Sequence, residues 1–229
     1  MTPGLAVEVP NLRAYEPTFA REVEWLLLEA LRIIQDRQHG QTVYLRLSTK
    51  TVEQAWLEPA IARLGELALR EQVLRGGYRL VDHAARAGFE PGANVVNLVA
   101  VGVMVPEAIE AGRLLEADGI YANVVALTSP RRCYEGWRQG VGAHLRGAAA
   151  PRSWLHELVT ADEIEGEVPI VSVLDGHSHA LAWLGTALGV PQVALGVDGF
   201  GQSGARADLY QHYGIDPASI VAAARLALA

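Results

Sequence analysis

Two kinds of apolar repeat alternate along the chain. After Glu16-Pro17, the residues Val23, Leu26, Leu27, Ala30, Leu31 and Ile34 recur at intervals of three and four. That spacing predicts a helix with one apolar stripe. Pro17 fits the first turn, where its missing N–H is not needed, and His39-Gly40 stops the helix. Residues 42–47 then read as a short strand. One helix and one strand cannot cover each other's apolar faces, so this segment must pack on the rest of the chain or on another one.

Residues 51–77 read as a connector with helical content (Ile61, Leu64, Leu67, Leu69) that ends at Gly76-Gly77. From there strands and helices alternate. Strands are predicted over 78–82, 95–101, 121–127, 169–174 and 192–197. Helices are predicted over 106–118 (closed by Gly119 as a left-handed cap), 178–188 (closed by Gly189 and Pro191), 205–213, and from Pro217 onward with Asp216 as its cap. In the stretch 131–166, Gly136, Gly140, Gly142 and Gly147 are expected to break any long helix. Apolar runs such as Val-Asn-Leu-Val-Ala-Val suit strands buried on both faces. The expected fold is therefore α/β: a three-layer α/β/α sandwich of about five mainly parallel strands, preceded by a helix–strand segment.

Composition narrows the partners. A net charge of -7 and a pI near 5.5 argue against nucleic acid or an anionic membrane surface. Cys133 is the only cysteine, which excludes an internal disulfide and suits a reducing compartment. No run approaches the roughly 20 apolar residues of a membrane helix, and residues 1–10 lack a basic-then-apolar secretion signal. A cytoplasmic globular protein is expected.

Several local patterns invite a chemical reading. Gly199-Phe-Gly201-Gln-Ser203-Gly204 spells G-x-G-x-x-G between a strand and a helix. Only one further helix follows, so no later strand can carry the acidic residue that holds a ribose, and a dinucleotide site is not expected. Asp175-Gly-His177-Ser-His179 lies where a buried strand gives way to a helix, a place where ligands collect in open sheets. Without a third ligand at suitable spacing, the plainer reading prevails: Asp175 or Ser178 caps the helix and the histidines face outward. Arg131-Arg132 before Cys133 could acidify the thiol, though an ordinary cysteine is the plainer reading. The acidic run Asp162, Glu163, Glu165, Glu167 reads as a solvated loop. All five tryptophans fall outside the core strands and so serve either core or interface.

The C-terminal stretch carries a longer pattern. Asp198-Gly-Phe-Gly-Gln-Ser-Gly-Ala-Arg206-Ala-Asp-Leu-Tyr-Gln-His212-Tyr-Gly-Ile-Asp216 resembles the D-G-F-G-x-S-x-x-R-x-x-L-x-x-x-[FY]-x-[IV]-D segment that closes the homodimeric bacterial pyruvate dehydrogenase decarboxylating component, a member of the transketolase superfamily. Earlier pieces agree in order. Pro10-Asn-Leu-Arg-Ala-Tyr-Glu-Pro-Thr-Phe-Ala-Arg-Glu-Val is similar to a stretch late in that family's pyrimidine-binding domain, and Val43-Tyr-Leu-Arg-Leu to its terminal strand. Leu74-Arg-Gly-Gly-Tyr-Arg-Leu, Gly102-Val-Met-Val-Pro-Glu-Ala and Val125-Ala-Leu-Thr-Ser-Pro resemble the start of the C-terminal domain.

The resemblance implies three regions: residues 1–50 as the end of a pyrimidine-binding domain, 51–77 as a linker, and 78–229 as a transketolase C-terminal-like domain. It implies an assembly or dimerisation role within a thiamine-diphosphate-dependent 2-oxoacid (pyruvate) dehydrogenase, as a fragment or as one polypeptide of a split enzyme. Thiamine diphosphate and magnesium would belong to the intact enzyme and not to this chain, because the G-D-G…N motif is absent from it. The isolated chain is then expected to be inactive. Its expected partners are a second copy, the remaining domains of the same enzyme, and the acyltransferase core of the complex. Two other readings stand beside it: the C-terminal part of a transketolase-like enzyme, and a stand-alone module for a small anion. For the last, the expected site is Gly199, Gly201 and Ser203 with Arg206 and His212, at helix-terminal N–H groups. Asp198 opposes an anion there, and a rigid turn held by an Asp198–Arg206 contact is the plainer reading.

Overall fold

The computed structural model describes residues 8–149, 152–160 and 166–229, so part of the acidic run at 162–167 and the first seven residues lie outside the described residues. Among the described residues, seven strands form two sheets. The smaller sheet pairs β1 (Leu12–Tyr15) with β2 (Thr42–Leu45) in parallel, Leu12 opposite Thr42. Helix α1 (Ala20–Gln35) connects them. The N-terminal segment is thus a βαβ unit, one strand more than expected. Strand β1 has only four residues and follows Asn11, whose φ of 56° sets a turn, so no apolar alternation announces it.

Helix α1 also starts later and faces differently than its apolar spacing implies. Pro17 precedes the helix. The Glu22 carboxylate folds back to accept hydrogen bonds from the amides of Thr18 (2.6 Å) and Phe19 (2.9 Å), so the helix opens at Ala20. Its buried face is Glu22, Trp25, Leu26, Ala30 and Ile33. Leu27, Leu28, Leu31 and Ile34 are exposed. The helix therefore has two apolar faces, and Trp25 and Glu22 select the inner one.

A short 3-10 turn (Gln54–Leu57) and helices α2 (Glu58–Leu64) and α3 (Glu66–Arg75) make the connector. The second sheet contains β3 (Tyr78–Val81), β4 (Val95–Val101), β5 (Tyr121–Leu127), β6 (Ile170–Val173) and β7 (Gln192–Leu195), in the order β3-β5-β4-β6-β7. Four strands are parallel, and β3 joins β5 antiparallel. The α/β expectation of about five mainly parallel strands holds.

Alternate side chains of the central strands go to opposite faces. Val96, Leu98, Ala100, Val124 and Val171 share a core with α4 (Val105–Ala117), α9 (Pro217–Leu228) and the N-terminal unit. Val99, Val101, Val125, Leu127 and Ile170 form a second core with α5 (Pro130–Leu145), α6 (Trp154–Val159) and α7 (Leu184–Leu188). Tyr15, Phe19 and Leu26 enter the first core, so the βαβ unit is fused to one face of the sheet. Helix α8 (Arg206–His212) has no fully buried residue and touches the first core through Tyr210.

Helix α5 overturns the expectation that glycines break the 131–166 stretch. It runs 16 residues through Gly136, Gly140 and Gly142, and ends before Gly147 (φ 70°). Each interior glycine costs about 1 kcal/mol of helix propensity. Anchors at its first turns offset that loss. Ser129 accepts the Arg132 amide, Arg131 reaches the Val9 carbonyl, and Arg132 donates to the Tyr15 hydroxyl (3.2 Å). The 178–188 segment departs the other way, splitting into a 3-10 turn (Ser178–Ala180) and the five-residue α7.

A chain of buried polar groups crosses the sheet. The Asn123 side-chain oxygen accepts the His83 amide (2.9 Å), and its amide donates to Asn97 (3.0 Å). Asn97 in turn donates to the Val159 carbonyl (3.2 Å), which also accepts from Arg79 (2.7 Å). Replacing Asn97 by the similarly sized Leu orphans the Asn123 amide and should cost about 2 kcal/mol. Urea unfolding tests this, and an unchanged midpoint would show the chain of bonds to be dispensable.

Candidate functional site

In an open α/β sheet, ligands bind where neighbouring connections leave the strand ends in opposite directions. Here the chain passes from β4 outward to β5, then crosses back to β6 on the other side of β4. The switch point therefore lies between the C-terminal ends of β4 and β6, at Gly102 and Asp175. A crevice of about 220 Å³ opens there, lined by both residues and by Glu16, Arg46, Ser48 and Thr49.

The N-terminal unit fills this crevice with charge. Arg46, just past β2, donates to the Glu16 carboxylate at 2.7 Å and to the Asp175 backbone carbonyl at 2.7 Å, with the Asp175 carboxylate at 3.4 Å. Glu16 is almost wholly buried, and its amide donates to the Thr128 carbonyl at the end of β5 (2.8 Å). Burial raises the Glu16 carboxyl above its ordinary value, although Arg46 pulls it down. Four residues on, Lys50 donates to the Val103 carbonyl (3.1 Å) and pairs with Glu107 in the first turn of α4 (2.5 Å). Gly102 holds φ at 54°, a left-handed conformation that favours glycine, beside Glu16. The segment from Arg46 to Lys50 is thus a strap along the strand ends.

Of the residues singled out from sequence, only Asp175 belongs to this crevice, and as a partner of Arg46, not as a helix cap. His177, Ser178, His179 and Asp198 meet beside it. The Asp198 carboxylate accepts from the Ser178 amide and hydroxyl, both at 2.7 Å, and stands 3.1 Å from His177 Nδ1. Burial pulls the Asp198 carboxyl upward, but the Ser178 donors and the two imidazoles hold it below its usual value. Both histidines are exposed, with rings in an edge contact at 4.5 Å. The expected Asp198–Arg206 contact is absent, because the free amide at the start of the 3-10 turn takes Asp198 instead. Arg206 has no hydrogen-bond or ion-pair partner among the described residues. Gly199, Gly201 and Ser203 lie in an exposed loop before the seven-residue α8, with Phe200 93% exposed. Tyr213 ties the loop through the Phe200 carbonyl (2.7 Å), and His212 packs edge-on against Tyr213. Cys133 is buried against the Gly76 carbonyl, and burial pushes its thiol up to about 12, so it is not a nucleophile.

Arg46, Glu16 and Lys50 were given no role at a site from the sequence. The signal available was Lys50 itself, the single lysine among arginines, five residues after a strand.

Comparison with known proteins places this geometry. The family model described as a transketolase-like TK C-terminal domain matches residues 76–216. The chromosomal transketolase of Cupriavidus necator is 31% identical over 220 residues, covering 96% of this chain and 26% of that protein. The pyruvate dehydrogenase E1 component of Pseudomonas aeruginosa is 26% identical over 231 residues, covering 98% and 24%. The chain spans about a quarter of the length of these curated relatives. Among solved structures, a split-gene transketolase described as an inactive beta4 tetramer aligns with a TM-score of 0.63 at 22% identity, over 99% of this chain and 61% of that one. The transketolase from Leishmania mexicana gives 0.62 at 20%, over 98% and 26%. At these identities the structural likeness is one of fold.

The strap makes a pH-dependent prediction. A carboxyl whose folded value is raised favours the protonated form on folding, so its contribution is full below the ordinary value of 4.5 and declines as pH rises through the folded value. Arg46→Met removes the opposing cation and leaves a buried carboxylate unpaired. The variant should be about 2 kcal/mol less stable than wild type at pH 7, with the gap closing toward pH 4. Urea midpoints across that range measure it, and a pH-independent gap would remove Glu16 from the explanation.

Proposed function

The chain belongs to the transketolase-like TK C-terminal domain family, and from that premise we propose that it is the C-terminal assembly portion of a thiamine-diphosphate-dependent enzyme. On this reading residues 1–50 are the end of a pyrimidine-binding domain, 51–77 a linker, and 78–229 the C-terminal domain. The observation that carries it is the incomplete N-terminal unit. It offers a two-stranded parallel sheet and a helix whose outer face exposes Leu27, Leu28, Leu31 and Ile34. Parallel strands are stable when covered on both sides, so this unit calls for further strands and a cover from other protein.

The chain's own residues do not fit the cofactor. Arg46 in the switch-point crevice is committed to Glu16 and Asp175, and among the described residues no three metal-ligating side chains converge. Other portions of the enzyme would hold the diphosphate and its magnesium. What this chain supplies is a rigid βαβ edge, fixed in place by Arg46 and Lys50.

Two substrate readings have separate support. The Asp198-to-Asp216 pattern favours a pyruvate dehydrogenase decarboxylating component, which would take a 2-oxoacid and hand its acyl group to the acyltransferase core of a complex. The higher identity to the Cupriavidus transketolase favours transketolase. Turnover of pyruvate against fructose 6-phosphate, the ligand in one solved transketolase relative, by the enzyme assembled with its cofactor-holding portion decides between them.

Two expectations test the assembly role. Calorimetric titration of the isolated chain with thiamine diphosphate and magnesium should give no saturable heat, and binding at micromolar cofactor would overturn the reading. The chain should also self-associate, most simply as a two-fold dimer; one relative is itself described as an inactive tetramer. Leu31→Glu should shift sedimentation toward monomer while changing stability by no more than about 0.5 kcal/mol. A wild-type monomer at tens of micromolar would count against the role of this face.

A further inference from the structure

The sheet face remote from the N-terminal unit carries a larger concavity. Between the second half of α5, the start of α6 and the end of α7 lies an open cleft of about 500 Å³, whose apolar walls include Trp137, Val141, Leu145 and Ala187. That volume is in the range of small-molecule sites, which are mostly apolar with a few polar groups at fixed positions. One of the glycines that weaken α5 opens the cleft. Gly140 lines it, and a side chain at Gly140 would meet nothing within 4 Å.

Its wall is held rigid. Trp137 stacks on Trp183 with centroids 5.8 Å apart and planes 19° apart, and Tyr134 packs edge-on against Trp183 at 5.0 Å. The Trp183 indole N–H donates to the Ala180 carbonyl (2.9 Å), fixing the stack. A flat aromatic wall beside bare helix backbone suits a planar ring.

Charge among the described residues that line the cleft has one sign. Arg152, His144 and His156 line it, and among its described lining residues there is no carboxylate, although the chain as a whole carries a net charge of -7. Arg152 is anchored through Nη2 to the hydroxyl (2.5 Å) and carbonyl (3.2 Å) of Thr160, which leaves Nε and Nη1 without a hydrogen-bond partner among the described residues. His156 is held by Ser153, whose hydroxyl lies 2.8 Å from Nδ1. Burial and Arg152 lower its pKa, so at neutral pH the permanent cation is Arg152.

From this geometry we propose that the cleft between α5, α6 and α7 binds a small aromatic monocarboxylate, its ring against Trp137 and Gly140 and its carboxylate on the free edge of Arg152. The site shares no residue with the strap at the switch point, so it stands apart from the assembly role.

Calorimetric titration of the whole chain with 2-naphthoate tests it. Saturable binding with Kd on the order of 100 µM is expected for a ligand of this size. The neutral isostere 2-naphthylmethanol and the Arg152→Gln variant should each bind or be bound about tenfold more weakly, through loss of the charge-assisted contact. Gly140→Leu fills the cleft from a helix position that accepts a side chain, and should abolish binding while keeping or raising the melting temperature. The proposal is overturned by any of four results: no saturable heat with wild type, unaltered binding to Gly140→Leu, equal affinity for the alcohol, or a Gly140→Leu substitution that by itself turns a dimer into monomers. The last would make the cleft a subunit contact.

Discussion

One guanidinium holds the architecture together. Arg46 enters the crevice between the ends of β4 and β6 and joins a residue from after β1, Glu16, to one from after β6, Asp175. Burying Glu16 costs free energy unless a cation accompanies it, and Arg46 meets that demand only if β2, β1 and β6 hold one relative position. Such a pair contributes geometry more than net stability, because desolvation offsets most of the attraction. That geometry explains the neighbouring features. Gly102 takes the left-handed φ of 54° beside Glu16, and Lys50 continues the strap to the start of α4. The Ser129 hydroxyl donates to the Ala14 carbonyl (2.6 Å), so the β5 end is stitched to the same unit.

The sheet face packed against this unit is therefore a composite core. Trp25, Leu26 and Phe19 from the N-terminal unit meet Leu69 and Val73 of α3 and Tyr78 of β3. Within it lies a second buried carboxyl, Glu22, whose value burial raises and whose neighbour is the Tyr78 hydroxyl, itself pushed well above 10 by burial and by Glu22. Buried carboxyls thus lie at two places along the junction between unit and sheet. Such contacts are intolerant of small displacements, because a slipped carboxylate has no water to fall back on. A rigid junction is what a domain needs if it is to present a sheet edge to other protein at a fixed angle.

How much of this was legible depended on the range of the interactions. The five strands and α4 were readable because unbroken apolar runs and a Gly119 cap are local signals. Asp216 as the cap of α9 was readable for the same reason, and the Ala218 amide bonds to it (3.2 Å). Strand β1 and the inward face of α1 were not, since a four-residue strand has little pattern and a helix with two apolar faces has no single stripe. Helix α5 was misread because interior glycines lower propensity, while its anchors come from Val9, Tyr15 and Trp183, more than 40 residues away in sequence. The strap was invisible for a stronger reason. A pairing of Arg46 with Asp175 across 129 residues leaves no spacing to detect. The glycine-rich loop after Asp198, by contrast, carried the clearest pattern in the chain, yet its side chains stand in solvent or turn inward to Ser178.

That contrast separates two kinds of specification within the fold. The 199–204 loop is exposed and α8 has no fully buried residue, although Tyr210 packs half-buried against the first core. On the assembly reading proposed above, the exposed positions of that loop would face another polypeptide. The exposed face of α1 points the same way, since Leu27, Leu28, Leu31 and Ile34 contribute nothing to the composite core. The α5 glycines differ in kind. Gly140 weakens a helix that a larger residue would strengthen without steric cost, and what it leaves in return is open space against Trp137. The α1 face and the α5 cleft share no residue with the strap, whereas α8 touches it, with Lys50 Nζ 5.4 Å from the centre of the Tyr210 ring.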